Sequence, residues 1–377
     1  MRARGAVLFQ APGNYEVTEL EVDDPRHGEI RVRMAAAGLC HSDDHYATGD
    51  RPAGTMPWCG GHEGAGIVES VGPDTPGWAP GDHVVFSFLP SCGKCRWCAS
   101  GQQNLCDLAA SLGIGGRLAV PPHDPPDYRV HLPDGTPVGQ MCSVGTFAEY
   151  TTISVDSAIK VADDLDLTRI CVLACAVGTG FGSAVNVARV QPGQTVIVMG
   201  IGGIGANAVQ GAASAGAAHV IAVDPVEFKR EKAREFGATH VFGDIEAAAG
   251  LARSLTNGQG ADSAIVTVGV LRPEHVGQAF AAIRKSGTVV VTALGAERDL
   301  GPVPVSVSEL TIYQKQIKGA MFGACNPFAD IPLQIGQYRA GKLKLDELIT
   351  AEYALDDIAK AYDDLRDGRY LRGIIRF

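Results

Sequence analysis

Apolar and polar side chains alternate with a period of two over residues 17–22 and 30–34, as half-buried strands require. Further short strands are predicted at 64–71 and 83–88, separated by Gly, Pro and Asp, so the first 155 or so residues are β-rich. Residues 111–140 are polar and carry Pro121-Pro122, Pro125-Pro126 and Asp134-Gly135. This is loop chemistry, with a hairpin expected at Asp134-Gly135. From about Gly178 the pattern changes. A buried strand at 195–199 precedes a helix of small residues at 205–215. A strand at 220–223 then leads into a charged helix at 227–236, closed by Gly237. Strands follow at 239–242, 263–268 and 288–293. Strand–helix alternation of this length predicts a parallel sheet covered by helices on both faces. Residues 322–377 return to shorter elements, and the chain has no internal repeat.

Composition narrows the class. A chain of 377 residues suggests two domains, or three, and 46% hydrophobic with 20% charged residues is ordinary for a globular protein. The 42 acidic residues outnumber 32 basic ones, for a net charge of −10. That balance argues against nucleic acid or an anionic membrane surface as partner. No run of about 18 apolar residues occurs to span a bilayer. Residues 1–7 show no apolar signal region, so a cytoplasmic location is expected. The ten cysteines are therefore read as thiols or metal ligands before disulfides.

Three groups of residues carry chemistry. Gly200-Ile201-Gly202-Gly203-Ile204-Gly205 fits G-x-G-x-x-G. It follows an apolar strand, opens a helix, and is succeeded by Asp224 at the end of the next strand. The glycines allow a tight turn, backbone approach to a pyrophosphate and close helix–strand packing, and the helix N-terminus favours phosphate. Asp224 is placed to accept from the adenosine ribose hydroxyls and would repel a 2′-phosphate, so NAD is expected over NADP. The plainer alternative is a glycine turn that only joins strand to helix. Cys92, Cys95, Cys98 and Cys106 can surround one tetrahedral Zn²⁺ with no open position, a structural site; an iron–sulfur cluster is the competing reading. Cys40, His62 and Cys175 mean little singly, since a lone cysteine usually packs as a small hydrophobe. Together they form a Cys₂His set with a fourth position free, as a catalytic zinc requires.

With these motifs on the page, the chain resembles the zinc-dependent alcohol dehydrogenases of the medium-chain dehydrogenase/reductase superfamily over its whole length. The resemblance rests on Gly61-His62-Glu63, the four-cysteine lobe, Cys175 before Gly178-Thr179-Gly180, the glycine turn with Asp224, and Leu371-Arg372-Gly373. Residues 86–92 (FSFLPSC), 139–145 (GQMCSVG) and 223–229 (VDPVEFK) resemble the nicotinoprotein branch, which uses N,N-dimethyl-4-nitrosoaniline as artificial acceptor.

The resemblance implies a GroES-like β-rich catalytic domain over 1–177, with a zinc lobe at about 90–110. A doubly wound α/β Rossmann domain over 178–321 follows, and 322–377 returns to the catalytic domain, with the active site in the cleft between them. It assigns Cys40, His62 and Cys175 to the catalytic zinc, with Glu63 beside it as a transient ligand. Asp43 orients His62, as metal-bound histidines generally require. Ser42 passes the alcohol proton through the cofactor ribose to His45 and solvent, although an exposed loop residue is the alternative for His45. On the cofactor side fall Thr179, Val268 and Leu294, with Lys229 at the adenosine ribose and Arg372 at the pyrophosphate. A solvated helix face is the alternative for Lys229. Where relatives often carry an arginine on the pyrophosphate, this chain has His41, a weaker or pH-sensitive contact. Phe88, Met141, Cys142, Leu294 and Met321 are pocket candidates, with core packing the alternative for each. The loop 106–147 is longer than in liver-type enzymes.

The expected reaction interconverts an alcohol and an aldehyde, with zinc as Lewis acid and NAD as hydride acceptor. Two zinc ions per chain are expected, and a homodimer or homotetramer. Tightly bound NAD recycled in place, with a redox acceptor for the NADH, follows from the branch. The rivals are an ordinary dehydrogenase with exchangeable NAD, a thiol-dependent formaldehyde dehydrogenase, and a zinc- and NAD-binding structural protein that has no catalysis.

Overall fold

The computed structural model describes residues 1–111, 127–297 and 301–377. Residues 121–126, with both proline pairs, and part of the 106–147 loop lie outside the described residues. The chain divides into two compact units.

The first unit comprises Met1–Cys175, Asn326–Gln337 and Ile349–Phe377. Its spine is strand Glu29–Leu39, which pairs antiparallel with Glu63–Val71, Tyr150–Ser154 and Arg372–Arg376. Ile30, Val32 and Met34 are buried as the alternation predicts, while Arg33 faces out. Arg31 departs from the pattern. It is buried because Glu69 at 2.8 Å and Asp24 at 2.5 Å neutralise it. Ile349–Ala354 lies parallel beside Arg372–Arg376, so the C-terminal segment completes a sheet begun near the N-terminus. A second sheet is built on Arg2–Leu8 between Glu16–Val22 and Trp58–Cys59. The hairpin at Asp134-Gly135 is present. His131 bridges Pro137, the amide of Leu132 donates to the Thr136 carbonyl at 2.8 Å, and Gly135 takes φ +86°.

The second unit comprises Ala176–Cys325 and Tyr338–Leu348. Its sheet is six parallel strands in the spatial order His240–Phe242, His219–Val223, Thr195–Met199, Ala261–Val266, Ile283–Val291 and Gln316–Gly319. This is the doubly wound order, with chain reversal beside Thr195–Met199. Ile197, Ile221, Ala264 and Val289 are fully buried in its core. Helix Gly203–Ser214 starts two residues before the expected position, because Gly202 already serves as its N-cap. Strand Gln316–Gly319 carries no alternation and was not expected. Tyr338–Leu348, expected in the return segment, packs with the second unit instead. Gln210 bonds both the amide (2.8 Å) and the carbonyl (3.3 Å) of Lys344, whose ammonium donates to the Glu235 carbonyl at 2.5 Å.

No single helix among the described residues is long and apolar enough to cross a membrane, although Leu167–Ala174 and Ala176–Ala188 pass by length and composition as a bent pair. All ten cysteines are free thiols.

Candidate active site and metal centres

Strand Glu29–Leu39 runs straight into Cys40, which opens the seven-residue helix His41–Ala47. His62 and Glu63 stand at the start of the neighbouring strand Glu63–Val71, and Cys175 follows the short helix Cys171–Ala174. One ligand atom from each of Cys40, His62, Glu63 and Cys175 lies within 4.8 Å of all the others, and all four residues are buried. Donors about 2.0–2.3 Å from a shared tetrahedral zinc would sit roughly 3.3–3.8 Å apart, so the set fits that ion. The glycines around it are needed. Gly61 takes φ +86° and gives its amide to Asp43 Oδ1 at 2.7 Å. A Cβ on Gly38 would come within 2.1 Å of Glu63 Oε2.

The charges agree with a cation. The hydrogen bond with Cys175 holds the Cys40 thiol well below its ordinary pKa against the opposing effect of burial, and Arg372 and His62 add to it. Burial works against a charged His62, but Asp43 and Cys40 outweigh it and raise the imidazole well above its usual value. His62 Nδ1 stands 3.1 Å from Asp43 Oδ2, off the ideal hydrogen-bond line, which leaves Nε2 as the ligand nitrogen. Glu63 Oε2 is buried without a hydrogen-bond partner, as suits an atom that faces a metal.

The remaining expected residues fall as follows. Ser42 accepts from the Cys40 thiol at 3.6 Å. His45 is buried rather than an exposed loop residue, with Nδ1 3.3 Å from Asp50 Oδ2. His41 is half-buried at the helix start. Phe88 stacks edge-on against His62 at 5.6 Å, and Met141 and Cys142 are buried, Cys142 with a left-handed φ of +52°. Arg372 was expected at the pyrophosphate. In the structure it is 4% exposed, pairs with Glu63 and donates to the Leu39 carbonyl at 2.8 Å. Only its Nε is left without a partner, so its first task is to hold Glu63. Tyr15, which sequence reasoning missed, donates to the Asp43 carbonyl at 3.1 Å; no motif surrounds it to signal this.

The four-cysteine lobe is folded around sulfur. Amides of Cys92, Cys95 and Cys98 donate to the sulfurs of Cys106, Cys92 and Cys95 at 3.3–3.4 Å, and one ligand atom from each cysteine lies within 4.8 Å of the others. Burial opposes ionisation of Cys95, yet the amides of Cys98 and Asp107 pull it down to about 6; burial pushes Cys106 up to about 12. Four adjacent thiols can all ionise only around a cation, which fits zinc.

In the second unit each glycine of the turn has a visible reason. Gly200 takes φ +91°, and its amide bonds the Val223 carbonyl. A Cβ on Gly205 would come within 1.9 Å of the Gly200 carbonyl, whereas Gly202 faces open space. That gap, at the N-terminus of helix Gly203–Ser214, suits a pyrophosphate. Both oxygens of the buried Asp224 accept backbone amides, from Ile201 at 2.7 Å and Val226 at 2.9 Å. Gly203 and Ile204 open the helix, and Thr179 is buried on helix Ala176–Gly182. Lys229 is half-buried on helix Glu227–Glu235. Val268 backs directly onto Gly200. Leu294 and Met321 are 39% and 45% exposed, so core packing does not explain them.

Comparison with known proteins agrees with this geometry. The family model "alcohol dehydrogenase GroES-like domain" matches residues 26–163, and "zinc-binding dehydrogenase" matches 203–334. The chain is 48% identical to the NDMA-dependent alcohol dehydrogenase of Amycolatopsis methanolica, covering 100% of this chain and 99% of that one. It is 32% identical to the S-(hydroxymethyl)glutathione dehydrogenase of Paracoccus denitrificans over the full length of both. The crystal structure of an alcohol dehydrogenase zinc-binding domain protein from Burkholderia ambifaria superposes with a TM-score of 0.90 at 31% identity, covering 100% of this chain and 99% of that one. A Cys₂His set beside a carboxylate, a four-thiol lobe and a nucleotide turn thus occur on a chain that is similar to these proteins along its entire length. The chain belongs to the zinc-dependent alcohol dehydrogenases of the medium-chain dehydrogenase/reductase superfamily, and it is an NAD- and zinc-dependent enzyme.

Proposed function

We propose that the chain oxidises a primary alcohol to its aldehyde, and runs the reverse, at the site formed by Cys40, His62 and Cys175. The observation that carries this is the convergence of those donors with Glu63 at the start of the helix that bears Ser42 and His45. When bound, zinc polarises the substrate oxygen and NAD accepts the hydride. The chain's own residues do the rest. Cys40 and Cys175 supply the negative charge, and Asp43 fixes the tautomer and direction of His62. Arg372 holds one oxygen of Glu63, and the other, Oε2, would be available to a bound metal. The Ser42 hydroxyl takes the alcohol proton and passes it toward His45, whose burial requires Asp50 to carry it onward. Phe88, which packs edge-on against His62, and the buried Met141 and Cys142 would shape a wall for an apolar substrate group.

For the cofactor, the Gly200–Gly205 turn would receive the pyrophosphate at the N-terminus of helix Gly203–Ser214. With NAD bound, Asp224 and Lys229 would hold the adenosine ribose, and Thr179 and Val268 the nicotinamide. Asp224→Ser removes the carboxylate that repels a 2′-phosphate. Because it also removes two amide bonds, affinity for both cofactors falls, and the ratio is the readout. NADP should gain on NAD by about tenfold or more. An unchanged ratio in a titration of both cofactors would remove Asp224 from recognition.

The relative that is NDMA-dependent supports a further reading: NAD stays bound through turnover and an acceptor reoxidises the NADH in place. Kinetics should then be ping-pong, free NAD should barely change the rate, and N,N-dimethyl-4-nitrosoaniline should sustain turnover. Denatured, exhaustively dialysed protein should release about one NAD(H) per chain with a catalytic zinc. Empty protein that regains activity in proportion to added NAD would make it an exchangeable-cofactor enzyme. The S-(hydroxymethyl)glutathione dehydrogenase relative favours the thiol-dependent rival, which predicts formaldehyde oxidation only with added thiol.

Among the described residues, strand Gln316–Gly319 of the second unit's sheet is paired on one side only. Val303, Val307, Leu310 and Ile312 in the preceding segment, and Ile317 on the strand itself, are exposed, Val307 and Ile312 at 73%. A free strand edge with an apolar border is a site for a second copy, and a homodimer or homotetramer uses it. Light scattering should give at least the dimer mass and Ile317→Lys should lower it; a monomeric parent protein overturns this.

A further inference from the structure

Helix His41–Ala47 is only seven residues long, far below the length at which an isolated helix holds in water. Its start is weak. Cys40 makes no side-chain cap, and the amides of Asp43 and Asp44 reach its carbonyl at 3.2 and 3.4 Å. Side chains from elsewhere must therefore fix its rotation. The Asp44 carboxylate, 7% exposed, accepts Nε and Nη2 of Arg366 at 3.0 and 2.7 Å on one oxygen. Arg366 lies at the end of helix Ile358–Arg366. One turn earlier on that helix, Tyr362 packs against Tyr15 with ring centroids 5.5 Å apart, and Tyr15 holds the Asp43 carbonyl. Two residues at i and i+4 thus grip consecutive residues of the short helix, one through Tyr15 and one directly.

The direction of the grip matters. At 100° per residue, Asp44 lies about 200° around the helix from Ser42. Arg366 therefore pulls on the face away from the Ser42 hydroxyl and leaves it free. Its other contact, Nη1 to Asp363 at 3.2 Å, goes to a carboxylate 71% exposed and adds little.

We propose that Arg366 is a positioning residue for proton transfer: through Asp44 it sets the rotation of helix His41–Ala47, and with it the place of the Ser42 hydroxyl. The inference rests on the assignment of the proton to Ser42, so its test carries Ser42→Ala in parallel. In the full-length enzyme loaded with zinc and NAD, Arg366→Gln should lower kcat about tenfold, since a small misplacement of a reacting group is costly. KM for alcohol should stay within about twofold, and the solvent deuterium isotope effect on kcat should rise, because proton transfer becomes limiting. Arg366→Lys should recover most of the rate, since a single oxygen accepts the contact. Should Arg366→Gln fail to fold, Asp44→Asn should show the same signature. Normal kcat and isotope effect in Arg366→Gln beside an impaired Ser42→Ala would overturn the proposal. So would a loss of kcat with raised KM and an unchanged isotope effect, which marks a merely structural role. A normal Ser42→Ala enzyme would instead overturn the proton-transfer assignment and the proposal with it.

Discussion

Cys40→Ser is expected to leave a folded protein with turnover reduced by roughly 10³-fold or more, the scale of losing several kcal/mol of Lewis-acid stabilisation. Cys95→Ser should do something different. Its sulfur caps helix Arg96–Ala99 and accepts the Cys98 amide, and its lobe is folded around four sulfurs that a bound zinc would hold together. Metal binding at such a site contributes directly to folding. Its loss should lower the melting temperature by about 5–10 °C, at roughly 2–4 °C per kcal/mol for a unit of this size. Elemental analysis should give two zinc per chain in the parent protein and about one in each variant. One zinc in the parent, or substantial iron, would contradict the two-site reading. Loss of activity in both variants without any change in melting would contradict the division of roles.

Ser42→Ala should cut kcat by about 10²-fold while KM for alcohol changes little, as expected when a group acts on the proton in transit rather than on binding. His45→Gln should be milder, about tenfold in kcat, because it removes a later member of the relay. The structure sharpens this. His45 is 3% exposed and leans on Asp50, itself joined to the Thr48 hydroxyl at 2.9 Å, so the exit from His45 is a chain of groups rather than open water. Asp50→Asn should reproduce the milder loss of kcat seen in His45→Gln. Near-normal turnover of Ser42→Ala in stopped-flow assays would remove Ser42 from the reaction.

Much of this was legible before the structure, and the reasons are local. The glycine turn is legible because each glycine answers a backbone demand that no other residue meets: φ +91° at Gly200, open approach at Gly202, and contact with the Gly200 carbonyl at Gly205. The four-cysteine lobe is legible because its ligands lie within fifteen residues of one another. Cys40, His62 and Cys175 can be grouped as a Cys₂His set by residue type, but spacing does not join them, because the strand pairing that brings Cys40 beside His62 is long-range; resemblance supplied their role. Resemblance in turn placed Arg372 at a phosphate and did not anticipate its bond to Glu63, since an arginine's partner is chosen in three dimensions. Strand Gln316–Gly319 escaped because an edge strand with an exposed face carries no hydrophobic alternation. Lys344 escaped for another reason: Gln210 and the Glu235 carbonyl draw its segment into the second unit, and both partners are met only in three dimensions.

The pairing of Arg372–Arg376 with Glu29–Leu39 has a consequence for how the chain is made. Arg372 and Leu39 are joined across 333 positions, a contact of very high sequence separation. A chain that emerges from the ribosome N-terminus first can close the six-stranded parallel sheet, through Gln316–Gly319, while Glu29–Leu39 still lacks its C-terminal neighbour. The catalytic half is begun first and finished last. Until Arg372 arrives, Glu63 is without its guanidinium and the Leu39 edge is an open template for other strands. A nascent chain is therefore most exposed to aggregation in the unit that holds the metal ligands, and early metal capture by Cys40 and His62 would guard the half that waits longest.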